Sequence, residues 1–318
     1  VTMPNYWTGV ASEGLPATPG AVYYVNYGTG SDDVGTKANS IRRPWKTVDK
    51  AVDSVTTNKD DLIVLTGNST HVLSEMLTVE KNRVHFLGFD GTSRRYGQNA
   101  KVSLTATTGA TNIATIKNTG VRNSFSNIKF INESTVAQGL YCFVDGGEYL
   151  VMQDCEIYKS TDLDETGASE LVINGDSAQF RRCTIGSLAN LIVGTVIRAN
   201  VRVTGAIAGA GKVMRDNTFE DCLLWRRSGS TSDRFVYAAA DADVERLLLF
   251  KNTGFINAKN STAVPAQAVA TGASLTIGAI VLDTTCYGVN VTKMSTSTGV
   301  YVMGATPNSG AGIAVNAA

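Results

Sequence analysis

The chain has 318 residues, and its 28 basic side chains balance 28 acidic ones, for a formal net charge of zero. That balance removes the electrostatic reason to expect nucleic acid or an anionic membrane surface as a partner. The apolar fraction of 43% supplies a substantial core, but the most apolar stretch, NLIVGTVIRANVRVTGAIAGAG, is broken by Arg198, Arg202 and glycines, which excludes a membrane-spanning helix.

Residues 1–20 carry Pro4, Pro16 and Pro19 and read as an arm that lies on something else. VTMPNYWTGV lacks the basic and apolar regions of a signal peptide, so none is expected. AVYYVNYGTGSDD is an apolar strand followed by a Gly-rich turn. GTGSDDVG is only superficially like a phosphate loop, because it lacks the G-K-[ST] ending. RRPWKTVDKAVDSV predicts one helix near 44–56: Pro44 suits the first helical position, and Trp45, Val48, Val52 and Val55 share a face. DDLIVLTG and VHFLGFDG read as buried strands. Abundant Gly, Thr and Asn suit short strands and tight turns better than helices.

A pattern then repeats. FSNIKF (125–130), MQDCEI (152–157), FRRCTI (180–185), MRDNTF (214–219), FKNTGF (250–255) and, more loosely, VLDTTC (281–286) share one layout. Each has a large apolar residue first and an apolar residue sixth, with polar or small residues between. Their starts differ by 27, 28, 34, 36 and 31 residues. A period of this size with variable insertions signals a solenoid. Position three (Asn127, Asp154, Arg182, Asp216, Asn252, Asp283) is mostly Asn or Asp, which tolerate left-handed backbone, and is expected to bend the chain sharply. Position four (Ile128, Cys155, Cys183, Asn217, Thr253, Thr284) and position six (Phe130, Ile157, Ile185, Phe219, Phe255, Cys286) are expected to stack as ladders. Glu156 and Lys159 are expected to point outward.

Five cysteines, an odd count with no CxxC and only His71 and His85 as histidines, fit small buried residues better than metal ligands.

Together with the order strand, Gly/Asp turn, P-W-K-T-V helix and I-V-L-x-x-G coil at the start, these repeats resemble the pectin-lyase-like family. The resemblance covers roughly residues 21–290. It implies an all-β fold: a single-stranded right-handed parallel β-helix with an N-terminal capping helix and extended terminal arms. This fold hosts lyases, hydrolases, phage tailspikes and inert structural proteins, so it does not itself specify function. Pectate lyases carry an R-x-P-x-x-R segment and polygalacturonases G-H-G and R-I-K elements; none of these stands here.

A glycosidase needs two carboxylates at the right separation. Asp162, Asp164 and Glu165 in TDLDETG, and Asp241, Asp243 and Glu245 in ADADVER, lie between coils. Solvated loop charge or turn support is the preferred reading for both groups. Asp154 and Asp216 are read as bend residues in preference to groove carboxylates. DLDET and SDD lack the ligand spacing of a calcium loop. RRPW and LWRRSGSTSDR are small basic patches facing a neighbouring protein surface or solvent. No catalytic, cofactor or metal residue is assigned.

Residues 291–318 form a Gly/Ala/Ser/Thr-rich, β-rich extension expected to make inter-subunit contacts. Its G-I-A-V-N-A-A ending resembles phage particle proteins. That resemblance implies a structural virion component, a capsid decoration or cement protein or a tail-associated β-helix. Such a component would be a homotrimer bound to other virion proteins. The alternative is a tailspike-like polysaccharide depolymerase acting on a host glycan. An extracellular adhesin is a third, weaker reading.

Overall fold

The computed structural model describes residues 20–33, 40–67, 69–89, 97–106, 113–135, 139–160, 166–189, 192, 194–204, 214–240, 243–259, 263–290, 294–303 and 312–314. The proposed arm, apart from residue 20, lies outside these residues, as do Asp162, Asp164, Glu165 and Asp241.

The chain winds as a parallel β-helix with three faces. Face A carries Val84–Phe89, Ser124–Ser126, Val151–Gln153, Gln179–Arg181 and Asn217–Glu220. Face B carries Lys101–Leu104, Lys129–Asn132, Glu156–Lys159, Thr184–Gly186 and Leu223–Arg226. The strands Leu247–Asn257 and Ala279–Val289 span both faces and join them into one sheet. Face C is a separate sheet of seven strands, from Leu77–Val79 to Val269–Thr271, stacked in chain order. All pairings between these strands are parallel. Val300–Val302 stacks on Ile280–Leu282 and Gly312–Ala314 on Cys286–Val289, so the winding continues past residue 290.

Position one of the repeat is the aromatic spine. Ring centroids lie 4.6 Å apart for Phe86 and Phe125, 4.5 Å for Phe180 and Phe219, and 4.6 Å for Phe219 and Phe250. These distances match the rise between parallel strands, so each ring sits on the next.

Position three is the predicted bend. Asn127, Asp154, Arg182 and Asn252 all have φ near +50°. The turned N–H is not wasted. Asn127 N donates to Gln153 O at 3.0 Å, Asp154 N to Arg181 O at 3.0 Å, and Arg182 N to Glu220 O at 2.9 Å. Each bend therefore bonds to the following coil. Position four completes the device. The Cys155, Cys183 and Cys222 thiols and the Thr253 hydroxyl each donate to a position-two carbonyl of their own coil and a position-one carbonyl of the coil before. All five cysteines are free and buried. Burial pushes the Cys142 and Cys286 thiols up to about 12 and Cys155 well above the usual thiol range, so these three stay protonated.

Two of the six repeats are aligned differently from the sequence expectation. Phe180 pairs with Phe219 rather than Met214, so the fourth repeat is FEDCLL (219–224). Its bend is Asp221, at φ +54°, its position four is Cys222, and its position six is Leu224. MRDNTF mimics the pattern because six successive coils, ending with this one, have a second left-handed bend three residues before position one. Asp60, Arg83, Arg122, Tyr149, Ser177 and Asp216 occupy it, with φ between +52° and +58°. Asn217 is an inward corner residue whose Nδ2 donates to Gly175 O. In the sixth repeat Leu282 pairs with Phe250, and the register shifts between Lys251 and Thr253. One residue is missing there, Asn252 has no counterpart, and Asp283 stays extended.

The helix is shorter than expected, Val48–Ser54, and Thr47 rather than Pro44 starts it. Val48, Ala51 and Val52 join the main core. Asp32, from the phosphate-loop-like GTGSDD, accepts from Lys46 N and Thr47 N and from the Thr47 hydroxyl at 2.6 Å. A carboxylate of the chain itself thus holds the residues that lead into the helix. Gly30 is required, because a Cβ there would lie 2.2 Å from Trp45 O.

A left-handed β-branched residue costs about 1–2 kcal/mol. Ser177→Val is therefore expected to lower the urea midpoint by that equivalent, whereas Ser177→Gly leaves it nearly unchanged; equilibrium unfolding of both variants checks this.

Candidate functional site

The outer surface of the coils is a set of charge pairs running along the axis. Arg182 grips Asp154 with two hydrogen bonds, at 2.9 and 3.0 Å. Lys129 meets Glu156 at 2.8 Å and Lys251 meets Glu220 at 2.6 Å. Arg215 meets Glu245 at 2.6 Å, and Arg246 pairs with Asp216. Each partner comes from a neighbouring coil, because in-register stacking puts equivalent positions about 4.8 Å apart. Asp243 accepts from Ala240 N at 2.9 Å, closing its own turn. Of the carboxylates singled out in the sequence, the four that are described are thus committed to a bend, a turn or an ion pair. The hydrogen bond from Arg215 holds Glu245 below the usual carboxylate range.

One carboxylate not singled out stands apart. Asp176 pairs through its backbone with Glu148 on one side and Arg215 on the other. Arg215 lies 3.7 Å from its Oδ2. Its Oδ1 is buried without a hydrogen-bond partner. Burial raises its pKa, with help from Glu148 and Glu245 and against the pull of Arg215 and Arg246. Such a group, with a second carboxylate one rung away, is the arrangement from which acid–base chemistry is built. No motif marks it, since Asp176 and Glu148 stand 28 residues apart; only the coil period could have joined them.

A linear Asp60–His85–Ser124 arrangement lies on the first coils. His85 Nδ1 is 2.8 Å from Ser124 Oγ, and Nε2 is 3.3 Å from Asp60 Oδ1. Burial alone would raise the pKa of Asp60, but hydrogen bonds from Arg83 and His85 hold it below the usual carboxylate range. The spacing suits a nucleophile and its base, yet Ser124 is 1% exposed and fixed in a paired strand. The arrangement ties three successive coils together.

The corner between faces B and C is polar inside. Asn132, Lys159, Arg226 and Asn257 reach from the ends of face B strands to backbone carbonyls of Tyr141, Gly139, Arg234 and Gly288. Lys159 is therefore buried, not outward-facing, and burial lowers its pKa to about 8. Arg226, from the supposed basic patch LWRRSGSTSDR, also turns inward, whereas the half-buried Arg234 donates to Thr231 O and Asp233 O of its own loop. Arg198 Nε donates to Asp233 Oδ1 at 3.2 Å, Arg226 lies 3.9 Å from Asp233 and 3.7 Å from Glu170, and Asp233 is 0% exposed. Burial raises the pKa of Glu170, with Arg226 opposing. Two arginines balance two carboxylates in the interior, where a lone charge would be costly.

Among the described residues, no group of three or more His, Cys, Asp or Glu side chains is arranged to hold a metal ion. No helix among them is long and apolar enough to cross a membrane.

No family model and no curated protein matches the chain. Solved structures do. Pectate lyase Pel9A aligns at 14% identity and a TM-score of 0.60, over 90% of this chain and 68% of its own. A pectin methylesterase from Aspergillus niger aligns at 13% and 0.57, over 96% and 93%. Pectin methylesterase PemA from Erwinia chrysanthemi aligns at 16% and 0.56, over 93% of each. At such identities the likeness shows the fold alone: a right-handed parallel β-helix, as the repeats implied.

Two outcomes are expected. Asp233→Ala leaves the buried Arg198 and Arg226 with Glu170 as the remaining carboxylate and is expected to cost about 3–5 kcal/mol in chemical unfolding. His71 and His85 are both held below their usual pKa of 6.5, chiefly by burial. The unfolded chain therefore binds more protons, and stability is lost as pH falls below 6.5. The urea midpoint is expected to drop between neutral pH and pH ~5, with a shallower drop in His71→Gln.

Proposed function

We propose that the chain is a structural component of a bacteriophage particle. In this reading it is a capsid decoration or cement protein, or a tail-associated rod, that binds neighbouring virion proteins and assembles as a homotrimer. The observation that carries this reading is the commitment of Asp154, Asp216, Asp243 and Glu245 to inter-coil pairs and turns. Their charge serves the stacking of the rod. The end of the chain adds support, since only Asp283 and Lys293 are charged after residue 259. A low-charge, small-residue surface suits permanent contact with other proteins.

The second reading is glycan cleavage, and Asp176 favours it. Its pKa is raised by burial, it is partly exposed, and the carboxyl of Glu148 stands on the adjacent rung, a pair of carboxyls of the kind glycosidases use. The pectin-active proteins sharing the fold lend it further weight.

One experiment separates the two. Particles are sedimented and the chain is quantified in the pellet, while the purified protein is incubated with pectin, polygalacturonate, capsular polysaccharide and lipopolysaccharide. The structural reading expects stoichiometric co-sedimentation and no released methanol, unsaturated product or reducing ends. Absence from the particle would end it. Turnover that falls about 100-fold or more in Asp176→Asn, with unchanged circular dichroism, would establish the second reading.

A further inference from the structure

The outward row of face C differs from those of faces A and B. Register stacks Thr78, Lys117, Val144, Val172, Arg202 and Tyr237 in it, two bases and no acid. Val201 and Val203 join the main core, so Arg202 between them points outward. On the other faces Lys129, Arg182, Arg215 and Lys251 each meet a carboxylate one coil away. Arg202 instead meets Val172 on one side and Tyr237 on the other. Its guanidinium carbon lies 5.3 Å from the centre of the Tyr237 ring. It also packs against Gly167, where a Cβ would come within 2.9 Å of Nη1. Ring and glycine hold the fork in one place. Its Nε is buried with no hydrogen-bond partner, and no carboxylate among the described residues pairs with it. Val144 and Val172 of the same row are 0% exposed and pack with Tyr141 in a small apolar cluster of their own. The charge therefore borders a dehydrated patch, where an unmet donor is costly.

We infer that Arg202 is the seat of a binding site for a carboxylate carried on an organic ligand. An unpaired guanidinium offers two parallel N–H donors, the geometry that a carboxylate matches. The Tyr237 ring attracts the cation but accepts no ordinary hydrogen bond from it, so the donors are left for the ligand. A single fixed base suits one negative charge better than a doubly charged phosphate. Tyr141 stands within the field of Arg202, which draws its hydroxyl pKa down against the larger effect of burial. The two tyrosines give the body of a ligand an aromatic surface to lie against. The carboxylate comes from a free organic acid or from an acidic side chain of a partner protein; the recognition chemistry is the same, and the test separates the two. The inference depends on neither functional reading above.

The test is titration of the full chain with benzoate and, separately, with a hexaglutamate peptide. Calorimetry gives the affinity, and the side-chain Nε–H resonances of isotope-labelled arginine give the place. A saturable shift of the Arg202 resonance is expected, assigned by its loss in Arg202→Gln, whereas uncharged benzamide is expected to leave it unmoved. Arg202→Gln and Arg202→Lys, each with unchanged circular dichroism, are expected to weaken binding about tenfold or more, the lysine because it keeps the charge but loses the fork. Arg227→Gln, at an exposed arginine outside the row, is expected to leave the affinity unchanged. Binding of benzoate supports the site with a free acid as its ligand; binding of the peptide alone supports it with a protein side chain as the source. If neither ligand moves the Arg202 resonance, or if Arg202→Gln binds as the wild type does, the proposal is overturned. A resonance that shifts in Asp164→Asn/Glu165→Gln without added ligand would mean that the chain supplies its own carboxylate, and would overturn it as well.

Discussion

Each coil must present its hydrogen bonds along the rod axis in register with the coil below, and everything else in this protein follows from that constraint. An ordinary turn would point its N–H sideways. The left-handed residues at Asn127, Asp154, Arg182 and Asp221 turn it along the axis, to the carbonyl of the next coil. The thiol or hydroxyl beside them then satisfies carbonyls left by the same bend. Strain of about 1–2 kcal/mol per bend is offset by bonds that repeat every rung. The phenylalanine spine is the apolar counterpart of the same register.

Register also organises charge. At several stacked positions successive coils carry opposite signs, and the described exterior holds a series of short ion pairs. Exposed pairs contribute little to stability individually, about 0–1 kcal/mol, but a mis-stacked coil would set like charges one rung apart. The buried corner applies the rule more strictly. Arg198 and Glu170 come from coils before that of Arg226 and Asp233, so the four charges meet only when the coils align. Asp176 is the exception that draws chemical interest, because its neighbours are of both signs and one of its oxygens is unpaired.

The periodic part of this architecture was legible in the residues. Large apolar residues recur at a coil's length, Asn and Asp mark the bends, and cysteines fill the small buried position. The misalignment at MRDNTF has a physical cause. Two bends in one coil obey the same stereochemistry and are followed by similar residues, so local pattern cannot tell Asp216 from Asp221. The inward turns of Lys159 and Arg226 were hidden for a different reason. Long basic side chains read as surface unless the carbonyls at the end of their strand are known to need donors. Ion pairs and the Asp176 neighbourhood join residues a full coil apart, and variable insertions blur that distance in the sequence.

The residue missing beside Asp283 changes which side chains share a surface. With no bend there, the strand Ala279–Val289 runs straight where the coil before it is kinked at Asn252. Asp283 therefore stays in the same outward row as Val281, Thr285 and Tyr287, and stacks on Lys251 of the coil before. One deletion thus merges two faces of the rod into a single continuous one.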